Sequence, residues 1–94
     1  MSSASTHVNI GVVYRKKGDL EKALFHYNLA LDVYKASLGD SHVSVADTMN
    51  NIAIVHGNLG DQTKRLELNR QAHSIYMVAL GPEHPKTKGI APFI

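Results

Sequence analysis

The feature that most constrains this chain of 94 residues is that it repeats itself at an offset of 42, the distance from Gly39 to Gly81. The pairs Asn9/Asn51, Ile10/Ile52, Val13/Val55, Gly18/Gly60, Asp19/Asp61, Lys22/Lys64, Leu24/Leu66, Ala30/Ala72, Tyr34/Tyr76, Leu38/Leu80, Gly39/Gly81 and His42/His84 are identical without a gap. A register kept over this length means two copies of one structural unit, and such units bury their apolar faces by stacking on one another. Repeat 1 spans about residues 3–43, repeat 2 about 44–85, and a tail of 86–94 follows.

Each unit divides at a Gly-Asp, Gly18-Asp19 and Gly60-Asp61, where Gly ends one helix and Asp caps the next. Before the second turn, Val45, Met49, Ile52, His56 and Leu59 recur at steps of four and three, which is one face of a helix. After the first turn, Ala23, Leu24, Tyr27, Ala30, Leu31, Tyr34 and Leu38 do the same. The spacing therefore predicts helices A and B in each repeat, with helix B of repeat 1 covering Leu20 to Leu38, roughly 28 Å long. The expected fold class is all-α: an α-solenoid of two stacked helix-turn-helix hairpins in a single domain, with an irregular tail.

Chemistry is poorly supplied. There is no Cys, so neither a disulfide framework nor a thiolate metal site is available. The six His are scattered without metal-ligand spacing, and His56 takes the helix A position of Tyr14, which reads as packing. No phosphate-cradling loop or nucleophile motif occurs, and the acidic residues stand singly, so the expectation is a non-catalytic protein with no cofactor and no metal. Ten Lys and Arg against eight Asp and Glu leave a charge of +2, too near balance to imply a nucleic-acid partner. The opening MSSASTHVNI has no signal-peptide pattern and no stretch is apolar enough to span a membrane, so the expected setting is cytoplasmic, with no membrane partner.

The stretches NIGVVYRKKGDLEKALFHYNLALDVYKASLGDSH, MNNIAIVHGNLGD and LGPEHP resemble tetratricopeptide repeats, and more narrowly the 42-residue variety of kinesin light chains. The likeness runs from about Thr6 to Pro85, carried by Ile10-Gly11, Tyr14, Gly18-Asp19, Ala23, Tyr27 and Ala30. Small residues there let helix axes approach while Tyr14 and Tyr27 fill the space between helices A and B. The resemblance implies a protein-interaction scaffold in a cytoplasmic, cytoskeleton-associated setting, with helices A lining a concave ligand-binding face. Matching positions are Ser5, Val8, Asn9, Val12, Arg15 and Lys16 in repeat 1, and Asp47, Asn50, Asn51, Ile54, Gly57 and Asn58 in repeat 2. Of these, Asn9, Val12, Arg15, Lys16, Asn50, Asn51, Ile54 and Asn58 are the candidate peptide contacts. Asn9 and Asn51 carry most weight, because a side-chain amide both donates to and accepts from an extended backbone. Arg15 and Lys16 beside them suit acidic peptides of the cargo type; as the end of a helix A, Arg15-Lys16-Lys17 also complements the helix dipole. The alternative is a structural spacer without a ligand of its own.

Repeat 2 departs from the pattern in helix B, where Arg65 replaces Ala23 and Asn69 replaces Tyr27, so looser packing is expected there. After His84-Pro85, KTKGIAPFI places Gly89 and Pro92 in the first turns of what would be a third helix A, which favours fraying over a cap formed by Ile90, Phe93 and Ile94. Two repeats are fewer than solenoids usually need, so a piece of a longer array, self-association through open repeat ends, or a marginal monomer is expected. In LGDSH and LGPEH, Gly39 and Gly81 are expected to close helices B in the left-handed conformation, and His42 and His84 to cap the following helices.

Overall fold

A computed structural model describes residues 3–93. Four long helices, α1 (Ala4–Lys17), α2 (Leu20–Leu38), α3 (Val43–Asn58) and α4 (Gln62–Leu80), form the two expected hairpins, and a short α5 (Pro85–Ile90) leads into a 3-10 turn at Ala91–Phe93. Helix B of repeat 1 has the boundaries the spacing predicts. The helix starts are set by side chains that satisfy amide donors left without partners in the first turn. Asp19 accepts from the Lys22 amide at 3.3 Å and Asp61 from the Lys64 amide at 3.0 Å. His42 and His84 cap through Nδ1, at 3.0 Å from the Ser44 amide and 3.1 Å from the Lys86 amide.

The ends of helices B differ in one respect from expectation. Gly18, at the turn inside repeat 1, is left-handed with φ 85° and ψ 5°. Gly39 and Gly81 also have positive φ, 91° and 86°, but their ψ values of 161° and 164° put them in an extended region open almost only to Gly. The chain must leave helix B and run outward before His42 or His84 starts the next helix, and a left-handed helical residue would turn it back too soon.

Helix α3 is the centre of the molecule, packed against α2 on one side and α4 on the other. Val45, Ala46, Thr48, Met49, Ile52, Ala53 and Val55 are therefore buried, whereas α1, packed chiefly against α2, buries only Ala4 and Gly11 among the described residues. Ala23, Tyr27 and Ala30 complete the core from α2, and Leu68, Ala72 and Tyr76 from α4. Tyr27 is fully enclosed because α1 presents Gly11 to it: a Cβ on Gly11 would stand 2.6 Å from the ring.

The tail is a correction to the sequence reading. Instead of fraying, it begins the third helix A that the repeat pattern calls for and carries it as far as Ile90, which is only 4% exposed, with Thr87 buried beside it. Pro85 is tolerated at the first helical position behind the His84 cap, and Lys86 and Lys88 pair with Asp47 and Glu83. Burial of Ile90 and these bonds outweigh the poor helix propensity of Gly89, around which there is open space for a Cβ. Ile94 lies outside the described residues, as does the side chain of residue 93.

Candidate functional site

Along α3, Asp47, Asn50, Ile54 and Gly57-Asn58 follow one another at steps of three and four, so the helix presents them as one strip. That strip forms one wall of an open groove of about 560 Å³; Arg65, Asn69 and Tyr76 of α4 form the other wall, and Lys86, Gly89 and Ile90 of α5 close one end. Asp47 anchors the closed end. Its carboxylate receives Lys86 Nζ at 3.1 and 2.9 Å and the Tyr76 hydroxyl, which ties α3, α4 and α5 together. Burial, then the hydrogen bond to Asp47 and that carboxylate's negative charge, hold the Tyr76 phenol well above its usual pKa, so it serves as a fixed donor. Midway along the groove, Asn50 Nδ2 donates to Asn69 Oδ1 at 3.1 Å, and Asn69 is 3% exposed. At the open end the Arg65 stem lies against Gly57, where a Cβ would fall 2.8 Å from Cδ, and Arg65 Nη1 donates to Gln62 Oε1 at 2.9 Å.

The groove exists because repeat 2 exchanges residues in matched sets. Val8 and Tyr27 of repeat 1 become the hydrogen-bonded pair Asn50 and Asn69, with Ala53 standing where Gly11 made room for the ring. Arg15 on helix A and Ala23 on helix B become Gly57 and Arg65, so the guanidinium has moved from one wall to the other and the small residue has moved opposite it. The hydrogen-bonded and stacked His7 and His26, with Nδ1 atoms 3.1 Å apart, become the apolar Met49 and Leu68. Where Tyr27 plugs the first hairpin, Asn69 leaves the second open.

Residues 2–77 match the tetratricopeptide repeat family. The chain is a tetratricopeptide repeat protein. Among solved structures, BtubC (BKLC) from P. vanneervenii is similar over 93% of this chain with a TM-score of 0.84 and 18% identity, which establishes likeness of fold. The chain spans about a third of that neighbour, 34% of its length. No curated relative matches.

Within the repeat fold, the eight candidate contacts separate. Asn50, Ile54 and Asn58 line the groove, joined by Asp47 and Gly57 from the same matched set. Asn9 and Lys16 lie exposed on α1; Val12 is half-buried against the core; Arg15 is half-buried with its Nε enclosed; and Asn51 is half-buried on α3. These five are not part of the groove wall. Conversely, Arg65, Asn69, Tyr76, Lys86, Gly89 and Ile90 line it although the family resemblance implies contacts on helices A alone. A signal was present: Val8 to Asn50 and Tyr27 to Asn69 are apolar-to-amide changes at two positions 19 apart, the separation of the Asn50–Asn69 hydrogen bond. Among the described residues, no three His, Asp or Glu converge to hold a metal, and no helix is long and apolar enough to cross a membrane.

Proposed function

We propose that this protein is a non-catalytic scaffold that holds an extended segment of a partner protein against its helices A, from Asn9, Val12, Arg15 and Lys16 on α1 to the groove along α3. The supporting observation is the groove itself, in which Asn50 and Asn58 set polar amides beside apolar Ile54 in a cleft of about 560 Å³, suited to backbone and side chains of a peptide. Arg65 and Lys86 outnumber Asp47 on the groove wall, and Arg15 and Lys16 continue the positive sign on α1, so the preferred segment is acidic. The setting that goes with this reading is cytoplasmic, next to cytoskeletal proteins.

Titration of the protein with fluorescent acidic peptides tests this. Binding is expected to weaken steeply between about 50 and 300 mM salt, as screening shortens the range of exposed charges. The Asn58→Ala variant, at an exposed groove position, should lose affinity while melting unchanged. Salt-independent binding would remove the acidic preference, and full retention of affinity by the variant would remove the face.

A second reading, repeats that extend a longer solenoid without a ligand of their own, is favoured by Val13, half exposed on α1 at the position where Val55 is wholly buried. Binding of no peptide at all would leave that reading standing.

A further inference from the structure

We infer that the His7–His26 pair is a proton-operated latch that docks α1 on α2 near neutral pH and lets it go in acid. The inference rests on the hairpin geometry of repeat 1 and on no part of the peptide reading. Its carrying observation is a hydrogen bond between like groups. Nδ1 of His7 on α1 lies 3.1 Å from Nδ1 of His26 on α2, the rings near parallel at 23° with centres 5.3 Å apart. One Nδ1 brings the hydrogen and the other the lone pair, so the bond exists only while at least one imidazole is neutral. A first proton goes to Nε2 of the donor ring and leaves the bond in place, now charge-assisted. A second must take the acceptor's lone pair, which turns both nitrogens into donors and sets two positive charges side by side.

Nothing beside the pair offsets that second charge. Among the described residues neither imidazole forms an ion pair with a carboxylate. Around His26 stand the Tyr14 ring of α1, 5.6 Å away centre to centre, and Phe25 of its own helix, edge-on at 5.3 Å. The charged group on this flank is Lys22, with Nζ 5.4 Å from the centre of the Tyr14 ring, and its partner Asp19, 3.7 Å away, already caps α2. Helix α3, on the other side of α2, brings no hydrogen bond or ion pair to either imidazole among the described residues.

The second repeat supplies the contrast. At the positions of His7 and His26 it has Met49 and Leu68, both buried in the core, so α3 packs on α4 without a titratable group at this point. Helix α1 also has less else to hold it, since Ala4 and Gly11 are its only buried residues among those described. Released α1 leaves both imidazoles free to take a proton, whereas docked α1 keeps its bond with only one. Docking is therefore fully supported above about pH 6.5, where imidazoles ordinarily titrate, and weakens as pH falls below it. Release uncovers Tyr27, whose ring packs against Gly11, and withdraws the α1 part of the helix A face.

Hydrogen exchange of the full chain, corrected for the intrinsic effect of pH on exchange, follows α1 against α4 at about pH 7.5 and about pH 5. Protection of the α1 amides is expected to fall in acid on the order of tenfold relative to those of α4, as for the loss of one hydrogen bond. His7→Met together with His26→Leu, the residues of repeat 2, should keep α1 docked at both pH values. That variant retains His42, His56, His73 and His84, so an acid effect arising at the caps or at the other histidines persists in it. Should it fail to fold, His26→Gln serves in its place. The Gln amide donates to a neutral His7 and its carbonyl accepts from a charged one, so the acid response of α1 should again disappear. Loss of protection in all helices together, no loss specific to α1, or the parent's acid response in either folded variant would overturn the inference.

Discussion

At the scale of single residues, two glycines in equivalent settings separate close packing from mere contact. Gly11 and Gly57 both lie inside helices A, where an added methyl would gain about 1 kcal/mol of helix propensity. Both would also set a Cβ within 3 Å of a helix B side chain, but the neighbours differ. At Gly11 the obstacle is the ring of Tyr27, rigid and fully buried; at Gly57 it is the Cδ of Arg65, part of a flexible stem with an open groove beside it. Gly11→Ala is therefore expected to destabilise by about 1–3 kcal/mol, the usual cost of overpacking, and Gly57→Ala to be neutral or slightly stabilising. Chemical denaturation of the two variants checks this, and equal effects would refute the distinction. The need for Gly11 was legible in the sequence, since a small residue opposite a Tyr is what interdigitation demands. That Gly57 serves Arg65 was not, because the pairing shows only when helix A and helix B of both repeats are compared together.

At the scale of elements, α2, α3 and α4 could be read from the chain because periodicity and caps agree: Asp19, His42 and Asp61 cap the helices the repeat pattern predicts. Helix α5 forms against its local sequence signal for a physical reason. Gly89 and Pro92 argue locally against a helix, while the energy that orders α5 is tertiary and comes from burying Ile90 against the core and from Lys86 reaching Asp47, 39 residues away. These contributions are unequal. The Lys86–Asp47 pair is roughly half exposed, and such pairs contribute about 0–1 kcal/mol, whereas truncating a buried Ile costs about 2–5 kcal/mol. Ile90→Ala should thus lower the melting temperature clearly and open the closed end of the groove to hydrogen exchange. Lys86→Ala should scarcely move the melt. A larger effect from Lys86→Ala than from Ile90→Ala would mean that the ion pair, and not apolar burial, holds α5.

At the scale of the whole molecule, the two ends of the stack are unlike. The C-terminal end is covered by α5, but on α1 the positions that α3 uses against α2 have no described helix over them. Val13 and Val55 hold the same place in their repeats, yet Val13 is 50% exposed and Val55 is wholly buried. The repeat pattern could place both on the same stripe; it could not say which stripe is covered, since that depends on neighbours outside the repeat. The pair is consequently an internal control for what covers α1. In an isolated chain, Val55→Ala should cost about 1.5–3 kcal/mol for a buried side chain, and Val13→Ala should stay within about 0.5 kcal/mol. If copies associate through α1, Val13 becomes buried in the complex, and Val13→Ala should then weaken association in sedimentation experiments and acquire a stability cost that grows with protein concentration. A concentration-independent melt together with a silent Val13→Ala would establish that α1 remains open in solution, and the two repeats would then stand as a cooperative unit on the α2, α3 and α4 core alone.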